Sequence, residues 1–252
     1  MQREDLTRYL NTYLSSDRFR DYCPNGLQVE GKPEINRLAL GVSASASLIE
    51  QAIAWGADAL LVHHGLFWSG DPQALHGWRR RRLALTLSAD LNVIAYHLPL
   101  DAHLEVGNNA CIARGLGLEG LTLFGQAGGQ PIGLYGDLPQ PALPADVVAQ
   151  IATLCEHPNP LAFLSGPPSV RRVAIITGRA GKMLEDALAV GADLFLTGEP
   201  EEPSQAYAAE MGIHFVAAGH HRTETFGVRA LGQHLTDAFD LTTHFFDAPN
   251  PV

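Results

Sequence analysis

Imidazole and carboxylate side chains gather at four places in this 252-residue chain, each directly after an apolar run that reads as a β-strand. Ala59-Leu60-Leu61-Val62 leads into His63-His64, and Val93-Ile94-Ala95-Tyr96 leads into His97, with Asp101 four residues on. Leu194-Phe195-Leu196-Thr197 leads into Gly198-Glu199, and Phe215-Val216-Ala217-Ala218 into Gly219-His220-His221, with Glu224 four residues after His220. Strands that end in such groups set nitrogen and oxygen donors along one edge of a sheet, where open α/β sheets bind ligands. A nitrogen and oxygen donor set without thiolate suits Zn²⁺, Fe²⁺, Mn²⁺, Co²⁺ or Ni²⁺, whereas hard cations take oxygen almost alone. Successive residues of an extended strand face opposite ways, so His63 and His64 are expected to serve two different ions rather than chelate one. Two ions roughly 3.5–4 Å apart hold a bridging hydroxide, with a carboxylate such as Asp101 or Glu224 between them. That chemistry is hydrolysis of a phosphoester, amide, amidine or ring C–N bond.

The two His-x-x-x-acid motifs differ locally. Pro99 within His97–Asp101 argues for a tight loop rather than a helix, while His220–Glu224 is free to run into one, which would put His220 and Glu224 on a shared face. His221 reads as a group that orients a ligand or meets substrate. Glu199 reads either as facing the same cleft or as a helix N-cap partner. His103 and His244 lack comparable support as ligands. The sequence contains no G-x-S-x-G elbow and no phosphate-binding P-loop, and Gly178-Arg179-Ala180-Gly181-Lys182 reads as a plain β-α turn.

An internal repeat supplies the frame for these groups. Residues 38–64 align without gaps on 173–199 at a constant offset (191 − 56 = 135), with eight of the 27 positions identical, Gly-Ala-Asp among them. Each copy reads as strand, helix, strand, with Gly56 or Gly191 ending the helix. Beyond it, His97-x-x-x-Asp101 falls on His220-x-x-x-Glu224. Helices are expected from about Val106 to Arg114 and from Thr225 to Ala238, and closing strands at Leu121–Phe124 and Thr242–Phe246. Residues 126–170 read as strands Ile132–Tyr135 and Leu161–Leu164 around a helix from about Pro144 to Cys155. The fold class is therefore α/β: two similar lobes with largely parallel sheets, 1–125 and 126–252, the C-terminal strand free to pack on the first. A dinuclear metal site is expected in the cleft between them, with His63, His64, His97 and Asp101 on one wall and His220 and Glu224 on the other.

Composition sets the outer bounds. A hydrophobic share of 46% supports a sizeable core, and a formal net charge of −10 disfavours diffuse attraction to nucleic acid or anionic membrane. No apolar run is long enough to span a bilayer, and Met1–Asp5 opens an amphipathic helix rather than a signal peptide. Cys23, Cys111 and Cys155 form neither a disulfide framework nor a C-x-x-C pair. A cytoplasmic enzyme-like protein is the expectation. The run Arg79–Arg82 reads as an anion clamp or as a solvated helix start, and charge runs of this kind favour the second.

Several stretches together resemble the GTP cyclohydrolase 1 type 2 homologue family (the Nif-three-like proteins), above all its short bacterial YbgI branch. They are Asp21-Tyr22-Cys23-Pro24-Asn25-Gly26-Leu27-Gln28-Val29, Gly56-Ala57-Asp58, Val62-His63-His64-Gly65 and Tyr96-His97-Leu98-Pro99-Leu100-Asp101. Gly107-Asn108-Asn109, Thr197-Gly198-Glu199, Ala218-Gly219-His220-His221-x-Thr223-Glu224 and Phe246-Asp247-x-Pro249-Asn250-Pro251 complete the set, which spans essentially the whole chain. The resemblance implies a two-lobed α/β protein with two divalent transition-metal ions per chain, assembled as a ring-shaped homohexamer. Carried over, its metal ligands fall on His63, His64, Asp101, His220 and Glu224, with His97 beside them as ligand or catalytic neighbour. The insert between the lobes is too short for the extra domain of longer members. The function implied is a metal-dependent hydrolase using a metal-bound hydroxide, with His97 or His221 as proton shuttle. Its substrate would be a small molecule, a nucleotide such as GTP, with Arg222 or Arg79–Arg82 meeting phosphates. The alternative is a non-catalytic metal carrier or regulatory scaffold.

Overall fold

The computed structural model describes every residue except Pro249, so that residue of the C-terminal Phe246–Pro251 motif lies outside the described residues. Two compact units result: Met1–Leu100 with Gly227–Pro249, and Asp101–Phe226 with Asn250–Val252.

The chain opens with α1 (Arg3–Tyr13), which buries Leu6 and Leu10, followed by β1 (Gly26–Val29), β2 (Arg37–Ser43) and α2 (Ala46–Trp55). Next come β3 (Ala59–His64), α3 (Gly77–Ser88), β4 (Asn92–Ala95) and α4 (Leu98–Ala102). They are followed by α5 (Asn108–Gly115), β5 (Glu119–Ala127), β6 (Gln130–Ala142), α6 (Pro144–Leu154) and β7 (Leu161–Leu164). The second repeat supplies β8 (Val170–Ile175), α7 (Leu184–Ala189) and β9 (Leu194–Thr197), then α8 (Ser204–Met211), β10 (His214–Ala217) and α9 (His220–Thr223). The chain closes with α10 (Thr225–Phe239) and β11 (Thr242–Phe245).

The first unit carries a five-stranded sheet in the order β1-β4-β3-β2-β11. Its strands are parallel except β1, which runs antiparallel along β4. Ala59–Val62 and Asn92–Ala95 are buried throughout, as strands covered on both faces require. Leu48, Ile49 and Ala52 of α2 pack with Ala39, Leu60, Val62, Val93 and Ala95 in one core cluster. The Ser45 hydroxyl accepts a hydrogen bond from Leu48 N and caps α2, and Gly56 ends it at φ +78°.

The second unit carries a six-stranded sheet, β5-β6-β8-β9-β10-β7. Here the parallel part is β8, β9 and β10 alone, with antiparallel β6 and β7 on its flanks. The antiparallel side has a local cause: Gly128 and Gly129, both at positive φ (59° and 83°), fold β5 back on β6 as a two-residue hairpin. Leu121–Phe124, read from sequence as the closing strand of the first half, thus lies in the second sheet. Thr242–Phe245 lies in the first sheet beside β2. Ile112 of α5 and Val147 and Ile151 of α6 cover Val173, Ile175, Leu194, Leu196 and Val216.

The repeat is visible as a shared lock. Asp58 Oδ2 accepts from the backbone N–H of Asn36 and Arg37, both at 3.0 Å, which satisfies donors at the start of β2. Asp193 Oδ2 does the same for Arg171 and Arg172 at 2.8 Å, each residue 135 further on. The aspartate of Gly-Ala-Asp therefore ties the start of one strand to the start of its parallel neighbour.

Candidate functional site

In the first unit, β3 delivers His63 and His64, and His97 follows β4. Strand alternation would part the first two rings, yet their centroids are 4.7 Å apart. With His97 they form a cluster whose ligand nitrogens all lie within 4.8 Å of one another. His64 is the last residue of β3, still in register with Ser43 of β2. Partners hold each ring by Nδ1. His63 Nδ1 lies 3.0 Å from the Tyr96 carbonyl oxygen, and His97 Nδ1 lies 2.9 Å from Asp21 Oδ1. Both oxygens only accept, so Nδ1 carries the proton and the lone pair is left on Nε2. His64 Nδ1 pairs at 2.9 Å with the Ser43 hydroxyl, which works in either direction.

The second unit carries Asp101, His220 and Glu224. Asp101 Oδ1 accepts from Asn108 Nδ2 at 2.8 Å and from the Thr177 hydroxyl at 3.2 Å. Its backbone carbonyl accepts from Asn109 Nδ2 at 3.1 Å, and Asn109 Oδ1 in turn accepts from Thr177 N at 2.9 Å. The Gly107-Asn108-Asn109 stretch is thus the cradle of this carboxylate. Pro99 does not prevent a helix before it: α4 includes the proline, because a missing N–H in the first turn removes no intrahelical bond.

His220 begins the single turn α9, and its Nε2 lies 3.1 Å from Glu224 Oε1, the i,i+4 contact expected of a helical register. Its Nδ1 donates to Glu199. Burial disfavours the imidazolium, but Glu224 and then Glu199 outweigh it and lift the His220 pKa to about 9. The site also needs bare backbone. At Gly178, with φ +67°, a Cβ would sit 2.2 Å from Glu224 Oε1 and 3.4 Å from His220 Nε2.

The remaining sequence candidates are placed as follows. His221 is buried, and its backbone N–H donates to the Val252 carbonyl at 2.9 Å. Arg222 Nη1 lies 3.6 Å from Glu156 Oε2. The arginine run occupies the first turns of α3 and is engaged locally: Arg79 pairs with Asp71 at 2.8 Å, Arg81 with Glu50 at 2.7 Å, and Arg79 and Arg82 lie over the Trp78 ring. All three thiols are free, and burial pushes Cys155 up to about 12 and raises Cys23 and Cys111. Protonated thiols bind metal poorly, so the donors here are imidazole and carboxylate, a set that fits borderline divalent ions. Sequence reasoning gave no role at the site to the groups that hold these donors, Asp21, Asn108, Asn109 and Thr177, nor to Gly178 beside Glu224. Asp21 stood in a quoted motif, but nothing in the spacing tied it to His97 76 positions away.

Among the described residues, no helix is long and apolar enough to cross a membrane. The chain is 44% identical over 247 residues to a Pseudomonas aeruginosa protein called GTP cyclohydrolase 1 type 2 homolog, covering 98% of this chain and 97% of that one. Among solved structures it matches the protein ybgI, described as of unknown function, at TM-score 0.93 and 41% identity, with both chains covered completely. It also matches a crystal structure from Thermus thermophilus at TM-score 0.91 and 40% identity, again over the whole of both chains. The same donors, cradles and repeat lie within residues 1–251, which match the Duf34/NIF3 (NGG1p interacting factor 3) model, and the chain belongs to that family.

Proposed function

We propose that the protein is a metal-dependent hydrolase that binds two divalent transition-metal ions through His63, His64, Asp101, His220 and Glu224. The observation that supports this most is the treatment of the imidazoles. His63 spends Nδ1 on the Tyr96 carbonyl, the orientation in which a metal-binding imidazole turns Nε2 to the ion, and His220 is set between two carboxylates, Glu199 at Nδ1 and Glu224 at Nε2. Bound divalent ions supply Lewis acidity and lower the pKa of water to the neutral range. The chain's own residues divide the rest. Glu199 holds the His220 ring, the asparagines hold Asp101, and His97 and His221 move protons. Arg222 meets an anionic group of the substrate, since a guanidinium fork suits phosphate. The names of the relatives point to a nucleotide such as GTP, and the resemblance to a cytoplasmic homohexamer.

Metal analysis of the purified protein should give up to two transition-metal equivalents per chain. Glu224→Ala should lose more than one ion's worth if its carboxylate bridges, and full occupancy in a His63→Ala, His220→Ala double variant would refute the ligand set. Turnover of metal-loaded protein against nucleotides, phosphoesters and cyclic amides then tests the chemistry. Activity on phosphoesters alone keeps the hydrolase and discards the cyclohydrolase. Activity on none of them, with metal released to a partner, replaces it with a carrier.

A further inference from the structure

The motif Asp21–Gln28 supplies no metal ligand, yet its side chains converge on the ends of both donor strands of the first unit. Asp21 is the centre of the arrangement, with a side chain only 2% exposed. Its Oδ1 accepts from Cys23 N at 3.1 Å and from His97 Nδ1 at 2.9 Å. Its Oδ2 accepts from Asn25 Nδ2 at 3.0 Å and from Leu98 N at 2.9 Å. Asn25 turns its other end the same way, and its Oδ1 accepts from His97 N at 2.9 Å. The histidine is therefore held by side chain, by its own backbone and by the backbone of the next residue. Gln28 does the equivalent work after β3, its Oε1 accepting from Leu66 N at 2.7 Å. Gly65 is bare against it, and a Cβ there would lie 2.2 Å from that oxygen.

We propose that Asp21 is the positioning residue for His97, holding it in the Nδ1–H tautomer so that Nε2 keeps its lone pair; this rests on the reading of His97 as a proton carrier. A buried side chain that merely filled space would not need four donors aimed at its two oxygens, two of them from His97 and Leu98. A carboxylate is also the side chain that cannot donate to Nδ1, so the opposite tautomer has no partner at this position. Tyr22 and Trp68 complete the mount, their ring centroids 5.1 and 5.2 Å from that of the imidazole in edge-to-face contacts.

The test is the ¹⁵N and ring-proton spectrum of His97 in the full-length, zinc-loaded protein with labelled histidine, assigned by His97→Gln. In the wild type, Nδ1 should be protonated and Nε2 not. Asp21→Asn presents an amide that can donate to Nδ1 and should convert the single tautomer into a mixture or invert it, while Asp21→Glu should restore it. A protonated Nε2 in neutral wild-type His97 would overturn the proposal, as would an unchanged tautomer in Asp21→Asn. The wild-type spectrum decides even if the asparagine variant does not fold. Zinc content of the same wild-type sample reports the metal reading separately, and the tautomer result stands or falls without it.

Discussion

The two repeats share a frame and divide the labour differently. In the first, β3 ends in His63 and His64, and the equivalent of Gly178 is Ser43, whose hydroxyl pairs with His64 Nδ1. In the second, β9 ends in Thr197, the matching positions are Gly198 and Glu199, and the donors come one strand later from His220 and Glu224. The Gly178 carbonyl accepts from the Thr197 hydroxyl and from Gly198 N and Glu199 N, so this strand end is packed backbone to backbone. The same strand-end position thus presents an imidazole in one unit and, in the other, a carboxylate that accepts from an imidazole. Equivalent position in a repeat predicts equivalent location on the sheet, but not equivalent chemistry.

The largest break in this comparison should come from adding a methyl at the bare position. Gly178→Ala pushes a Cβ against Glu224 and adopts a left-handed conformation that costs an L-residue roughly 1–2 kcal/mol. It should abolish metal uptake measured by elemental analysis, with only a modest fall in the urea midpoint. Ser43→Ala at the equivalent place should cost about 1 kcal/mol for one hydrogen bond and retain the metal. Equal metal loss from both would mean the two strand ends do the same work.

The shared lock should give an intermediate effect. Asp58→Ala and Asp193→Ala each strand two backbone donors and should cost about 1–3 kcal/mol by urea denaturation. For Asp58, burial acts to raise the carboxyl pKa, but Lys32 and the backbone N–H groups of Arg37 and Asn36 outweigh it and hold the value below the ordinary one. Its contribution is therefore complete above the unfolded-state pKa of roughly 3.9 and is lost as pH falls through the lower folded value. Between about pH 5 and pH 2, the wild-type midpoint should fall further than that of Asp58→Asn. Parallel curves would remove Asp58 from the lock.

The smallest effect belongs to α2. Glu50, identical in the repeat at Glu185, pairs with Arg81, both side chains being largely exposed. Arg81→Ala should change stability by less than about 1 kcal/mol and leave metal content untouched, which would separate the arginine run from the site.

Much of this was legible in the chain. The strand–helix–strand repeat, its glycine stops and the strand-end donors all follow from local pattern, because burial on both faces leaves uninterrupted apolar runs and Gly56 must take positive φ. The antiparallel flanks were not, because a Gly-Gly hairpin says that β5 and β6 pair without saying which sheet receives them. Pro99 misled because its cost depends on its position within the helix rather than on its presence. The groups that hold His97 and Asp101 were hidden for a simpler reason. Asp21 reaches His97, and Thr177 reaches Asp101, across 76 positions each, and no periodicity spans such a distance.

β11 carries one more consequence. The first unit begins to form its sheet with Arg37–Ser43, yet the strand that covers the outer edge of β2 is Thr242–Phe245. As the chain leaves the ribosome, every other strand of both sheets emerges before that edge can be closed. Until then β2 offers an unprotected row of backbone donors and acceptors, the feature that recruits strands from other chains. A pairing with so great a sequence separation also forms slowly. The interval before Thr242–Phe245 emerges is therefore when this edge is exposed to misassembly, and a chain stopped after α10 would carry that open edge permanently.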